Sequence, residues 1–260
     1  MAHHVLLLGG AGKVSRLLTP LLLKRSWNVT SIIRNPDQVA DLEKLGESQP
    51  GKLSVLVRSL EDIKSDAAAK SLIDEVDADY IVWSAGAGGK GGPERTYAID
   101  RDACVHFINA AVATPSVTKF LLVSYLASRK ARPSWWSEES WKAAEHMNNE
   151  VLPDYYKAKI AADEALHTAA KKRGSGFAGI NLRPGALTTE PAGGVELGKT
   201  KTNRGDTSRE AVAEVADQLL AADGVKTSWV DLLDGEEDIE KAVERVVREG
   251  VDATEGEPFY

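Results

Sequence analysis

A chain of 260 residues with a formal net charge of −7 and one cysteine is long enough to bury a substantial core without covalent staples. The acidic balance argues against a general nucleic-acid binder, whose surface would be basic, and no apolar run reaches membrane-spanning length. Cys104 cannot form an internal disulfide and has no partner at a zinc-ligand spacing, which fits a reducing, cytoplasmic setting.

The opening HHVLLLGGAG is too short for a secretory core and has neither a basic region before it nor a cleavage site after it. His3 and His4 suggest no metal site. The first strand is read at HVLLL (4–8), and the chain turns at once through Gly9 and Gly12 into the helical pattern VSRLLTPLLLKR. Glycine there permits a positive φ and lets backbone approach a pyrophosphate, which the helix N-terminus attracts. Ser15 stands where a third glycine would let helix and strand pack closely. The second strand, VTSII (29–33), ends in Arg34. An NAD site has Asp or Glu near this point for the ribose 2′-hydroxyl, whereas arginine suits the 2′-phosphate of NADP. NADP is therefore the expected cofactor. Asp37, after Pro36, is explained by the start of the next helix.

Further strands are read at LSVLV (53–57), YIVWS (80–84), KFLLVS (119–124), AGINLR (178–183) and WVDLL (229–233), with helical patterns AAAKSLIDEV, AVAEVADQLLAA and DIEKAVERVVRE among them. The last puts Ile239, Val243, Val246 and Val247 on one stripe. This alternation predicts an α/β fold: a doubly wound, parallel Rossmann-type sheet of about seven strands in a single domain spanning 1–260, with a small C-terminal substrate-side portion. The GAGGKGG loop (86–92) and AGGVELGKTKTNRGD (192–206) are expected to be mobile connections.

In YYKAKIAADEAL (155–166), Tyr155 and Lys159 share a helix face, because residues four apart are surface neighbours. The spacing alone fits a packed tyrosine beside a solvated lysine equally well. The order of GGAGKVS, IIRNP, VWSAGAG, LLVSY, YYKAK, LRPGALT and TSREAVAEVA, however, resembles the short-chain dehydrogenase/reductase superfamily, in its atypical NmrA-like and biliverdin-reductase-B-like branch.

That resemblance implies an NADP-dependent oxidoreductase acting on a small, apolar or aromatic carbonyl or enone. Tyr155 would be the acid/base and Lys159 the cation that binds the nicotinamide ribose and lowers the phenol's pKa. Ser124 would hold the substrate oxygen, although some branches place the serine where this chain has Tyr125 or Leu126. The cofactor set is Gly9, Gly12, Lys13, Val14, Arg34, Arg58, Ser84, Ala85, Gly86, Lys159, Pro184, Gly185 and Thr188, with Arg58 a candidate for adenine stacking. Where relatives have an asparagine on the fourth helix, this chain offers Asp100 and Asp102. Relatives occur as monomers or homodimers. A non-catalytic NADP-binding regulator and a redox-neutral epimerase, dehydratase or cyclase remain alternatives. Between Ser124 and Tyr155, Trp135, Trp136 and Trp141 mark either a lid whose indoles line the substrate pocket or a helix docked by its tryptophans. His146 is a possible second acid/base, more readily read as a surface residue.

Overall fold

The computed structural model describes residues 2–88 and 91–260; Gly89 and Lys90 of the 86–92 loop lie outside the described residues. The first half runs β1 (His4–Leu8), α1 (Lys13–Lys24), β2 (Asn28–Ile33), α2 (Val39–Glu43), β3 (Leu53–Val57), α3 (Asp66–Val76) and β4 (Tyr80–Trp83). After α4 (Gly92–Thr96) a π-helical stretch, Tyr97–Ala103, leads into α5 (Cys104–Ala113) and β5 (Lys119–Val123). Then come α6 (Glu138–His146), a second π-helical stretch at Met147–Val151, α7 (Pro153–Arg173) and β6 (Ala178–Pro184). The chain finishes through β7 (Ala186–Thr188), β8 (Gly194–Gly198), β9 (Asp206–Ser208), α8 (Arg209–Ala221), β10 (Ser228–Gly235) and α9 (Ile239–Glu249).

Eight strands form one sheet in the order β3-β2-β1-β4-β5-β6-β10-β8. All pairs are parallel except β10 with β8. The order reverses between β1 and β4, and in such sheets ligands bind in the crevice outside the strands' carboxyl ends at that point.

Alternate strand residues face opposite ways, so the sheet supports two cores. Val5, Leu7, Val29, Val82, Leu121 and Ile180 pack with residues of α1, α8 and α9 on one face. Leu6, Leu8, Ile32, Ile81, Trp83, Phe120 and Leu122 pack with α3, α5 and α7 on the other. Leu18 and Leu22 of α1 are fully buried, each contributing about 1.5–3 kcal/mol of transfer free energy. In α9, Ile239, Val243 and Val246 are buried and Val247 packs beside them, so the expected stripe covers the sheet.

The 192–206 segment is no simple connection. It contains β8, which pairs antiparallel with β10 from Gly194↔Gly235 to Gly198↔Asp231 and buries Val195 and Leu197. Its five residues alternate correctly, but the glycines at both ends made it resemble a loop. Short β7 and β9 pair as a separate two-stranded ribbon, and three residues are too few to carry a periodic signal.

Candidate active site

The glycine turn lies where the strand order reverses. Gly9 has φ +88°, and a Cβ there would stand 2.7 Å from the Ala85 backbone, so no other residue fits against the β4 loop. Gly12 N donates to Gly9 O at 2.9 Å, closing the turn ahead of α1. In the first turn of α1 the Ser15 hydroxyl is buried with no hydrogen-bond partner in the protein. A closely approachable backbone, a helix N-terminus and an orphaned hydroxyl fit a dinucleotide's diphosphate.

Two cavities continue from this turn. One of about 230 Å³ is lined by Gly9, Gly12, Arg34, Arg58, Glu61, Ser84, Ala85, Gly86 and Arg95. Arg34 is exposed there, and its Nη1 donates to Glu61 Oε1 at 3.1 Å; Arg95 Nε donates to the same oxygen at 2.8 Å. The Arg95 guanidinium foremost, with Arg34 assisting, holds the Glu61 carboxyl below its ordinary range. Arg58 is also exposed and lies 3.6 Å from Glu75. The sequence reading did not foresee that Arg34 already has a carboxylate partner, because Glu61 arrives from beyond β3.

The second cavity, about 500 Å³, is lined by Gly12, Lys13, Val14, Ser84, Ala85, Gly86, Asp100, Ser124, Tyr155, Lys159 and Arg209, among others. Pro153 opens α7 at a position where its missing N–H costs nothing. From there Tyr155, Lys159 and Asp163 follow at four-residue steps along one face. Lys159 is buried and its Nζ donates to Val123 O at 2.9 Å, at the end of β5. Burial pulls its pKa down, but Tyr155, Asp100 and Asp163 outweigh this and leave it above the ordinary lysine value. Asp100, in the π-helical stretch, is also buried; its Oδ2 accepts from Ala87 N at 2.8 Å, and burial raises its pKa despite Lys159. Asp102 is instead exposed and pairs with Arg101.

The Tyr155 phenol does not match the expected depression. Burial raises its pKa; Lys159 pulls it down, while Asp100 and Asp163 push it further up, and the net direction is upward. One ammonium does not overcome desolvation and two nearby carboxylates.

Ser124 is buried, and its hydroxyl donates to Asp163 Oδ2 at 2.7 Å, an oxygen that also accepts from Ser128. Tyr125 packs its ring 5.1 Å from that of Tyr155 and donates its hydroxyl to Asn148 Oδ1 at 2.6 Å. Asn148 is in turn fixed by donating to Ala127 O at 2.7 Å.

Beyond Tyr155 opens a cavity of about 1230 Å³. Ser124, Leu152, Tyr155, Leu187 and Arg209 line both it and the 500 Å³ cleft. Pro184 and Gly185 line this larger cavity rather than the cleft, and Thr188 lines neither. The Arg183 side chain turns away into a buried network: its Nε donates to Asp231 Oδ1 at 2.9 Å, and its guanidinium lies 3.9 Å from the Trp229 ring centroid.

The lining contains none of the three tryptophans. Trp136 is buried and donates its Nε1 to Thr200 O at 2.9 Å; Trp135 and Trp141 pack around the same cluster. The indoles therefore dock the segment, and α6 presents Glu138, Glu139, Lys142 and His146 to the cavity. Of the two readings of this segment, the helix docked by its tryptophans is the one found, and the cavity wall still carries Leu126, Ala127, Met147, Leu152 and Leu187 beside the charged residues of α6. His146 is exposed and pairs with Glu150 at 3.1 Å. Sequence reasoning missed Asp163 and Arg209. The first lay one more turn beyond the tyrosine–lysine pair, and the second lay inside the TSREAVAEVA motif, which drew notice only as a whole.

No helix among the described residues is long and apolar enough to cross a membrane. Residues 9–223 match the family described as NAD(P)H-binding. A Schizosaccharomyces pombe protein of the UPF0659 group is 32% identical, over 93% of this chain and 94% of its own. A Bacillus subtilis protein named as an uncharacterized sugar epimerase is 30% identical, over 93% and 99%. Among solved structures, an oxidoreductase from Lactococcus lactis superposes with a TM-score of 0.71 at 20% identity, over 94% of this chain and 97% of that one, which shows the shared fold. With a glycine turn at the point of strand reversal and a family match across most of its length, the chain belongs to the NAD(P)H-binding family of Rossmann-type proteins.

Proposed function

We propose that the chain is an NADP-dependent oxidoreductase that reduces a carbonyl or enone compound, with Tyr155 as the proton donor. The observation that carries this reading is that Tyr155 stands on the wall common to the cofactor cleft and the large cavity. When bound, the reduced nicotinamide supplies the hydride that forms the new C–H bond at the substrate carbon. Tyr155 Oη gives its proton to the oxygen that gains the electron pair, and solvent returns a proton to the phenol. Lys159, charged and anchored on Val123 O, stabilises the phenolate left behind. Ser124 spends its proton on Asp163, so what it offers a substrate is an oxygen lone pair. Arg34, with Arg58 and Arg95 around the same cavity, supports the 2′-phosphate of NADP; binding would exchange the exposed Arg34–Glu61 contact for a charge-assisted phosphate pair.

The test is NADPH consumption across a carbonyl panel, with binding of NADPH and NADH measured alongside. Tyr155→Phe should lower turnover roughly 10²- to 10⁴-fold while leaving NADPH affinity within about twofold of the parent. Equal turnover in the variant would remove Tyr155 from the chemistry, and tighter binding of NADH than NADPH would remove the role of Arg34.

A redox-neutral epimerase is the second reading. It is favoured by the B. subtilis relative's name and by the size of the cavity, which leaves room for a polyhydroxylated ligand beside Glu138, Glu139 and Lys142 of α6. Conversion of a sugar substrate with no net change in nicotinamide absorbance would select it.

A further inference from the structure

We infer that Arg209 is a diphosphate-binding residue of the cofactor cleft, gripping the phosphate nearer the nicotinamide. This rests on the dinucleotide being bound, not on the reaction proposed above.

The placement comes from the fold. Helices α1 and α8 pack side by side on one face of the sheet. α1 starts where β1 ends, and α8 leads back to the start of the parallel strand β10. Both helices therefore begin at the sheet's carboxyl edge, where their N-terminal dipoles favour an anion. Arg209 is the first residue of α8 and lines the 500 Å³ cleft together with Gly12, Lys13 and Val14 of the glycine turn.

Its chemistry points the same way. Arg209 Nη1 donates to Thr188 O at 2.7 Å, a contact that aims the guanidinium and leaves most of its N–H donors for a ligand. The other basic groups of α6 and the neighbouring loop that line the large cavity are occupied: Lys142 pairs with Glu138 at 2.7 Å and Arg204 with Glu139 at 3.4 Å. Ser15 Oγ, in the first turn of α1 beside Gly12, which lines this cleft, is buried without a partner. Unsatisfied buried hydroxyls are uncommon unless a ligand or water completes them.

The choice of phosphate follows from which cavity Arg209 touches. It lines the cleft that holds Tyr155 and Lys159, and it is absent from the lining of the smaller cavity that holds Arg34 and Arg58. It therefore belongs to the nicotinamide half of the dinucleotide.

The experiment is calorimetric titration of the full chain and its Arg209→Gln and Arg209→Lys variants with NADPH and with adenosine 2′,5′-bisphosphate, which lacks the nicotinamide-side phosphate. Arg209→Gln should weaken NADPH by about 10- to 100-fold and leave the bisphosphate within about twofold, with Arg209→Lys between. The bisphosphate also reports that the adenosine half of the cleft is still folded. Unchanged NADPH affinity overturns the assignment, including the case where only the KM of a carboxylate-bearing carbonyl rises, which would make Arg209 a substrate-anion residue. Equal weakening of both ligands also overturns it, because the loss would not be specific to the second phosphate. A parent chain that takes up neither NADPH nor NADH would overturn the family's cofactor for this protein, a result distinct from either.

Discussion

Tyr155 is surrounded by charges of both signs, and their balance sets the direction in which it works. Lys159 and Asp163 stand on its own helix, Asp100 comes from the π-helical stretch before α5, and the Tyr125 ring lies against it from the loop after β5. Burial leads, so the phenol's pKa is raised and the hydroxyl keeps its proton at neutral pH. A raised pKa suits a group that donates and handicaps one that must first lose its proton. The rate of carbonyl reduction should therefore stay flat from about pH 7 to beyond the ordinary phenol pKa of about 10. The reverse oxidation should climb steadily over the same interval. A pH–rate profile of both directions checks this; a reduction rate that falls between about pH 7 and 8 would mean that bound cofactor has reversed the balance.

At the scale of elements, the site depends on a buried charge network beneath it. Asp231 of β10 accepts from Arg129 Nη2 at 2.8 Å through one oxygen and from Arg183 Nε at 2.9 Å through the other. Arg183 also donates to Leu126 O at 3.0 Å and lies 3.5 Å from Asp163 of α7. All four charged side chains have no solvent exposure. Asp231→Ala would leave two guanidiniums in the core without their shared carboxylate, and removing one partner from a buried ion pair costs about 3–5 kcal/mol. Urea denaturation should show a loss of that order, with the α7 face bearing Tyr155 and Lys159 loosened before the rest. A loss under about 1 kcal/mol would mean that solvent reaches the network.

The same elements show what the sequence could and could not reveal. The strands from HVLLL to WVDLL each begin and end within about two residues of their expected positions, because each is a short apolar run bounded by turn residues, and all but the edge strand β3 are largely buried. The pair Tyr155 and Lys159 was legible because a single helix sets their spacing. Arg209 was not, since its meaning depends on α8 lying beside α1, a tertiary fact with no local period. β8 escaped because an edge strand flanked by glycines has the composition of a loop. Asp163 escaped because an aspartate inside a helix ordinarily signals a wet face, and here that face is the core.

At the scale of the whole molecule, two histidines make stability depend on acidity. His4 has a lowered pKa chiefly through burial, against the pull of Asp79 and Asp77. His167, almost wholly buried, is lowered in the same way against Asp252. A depressed folded-state pKa contributes stability above the unfolded value, about 6.5 for imidazole, and loses it as pH falls from there through the folded value. Asp100 and Glu257, raised mainly by burial, act with the opposite sign: their contribution is present below the ordinary carboxylate range and is lost as pH rises through their folded values. Between about pH 7.5 and 5.5 the histidines should dominate. The melting temperature should fall across that interval by about 2–4 °C for each kcal/mol lost in a chain of this size, and His167→Gln should flatten the slope. An acid-insensitive melting temperature in the parent chain would refute the assignment.

The segment after α9 folds back so that Ala253 O accepts from Arg129 Nη1 at 2.8 Å and Glu257 Oε1 lies 3.5 Å from the same nitrogen. During synthesis, the N-terminal half of the sheet can collapse around its own apolar faces as it emerges. Arg129, made about halfway along, must wait for partners translated more than a hundred residues later. Until those partners arrive the guanidinium stays in water, and the substrate side of the molecule cannot close around Arg129 before the 253–257 segment is available.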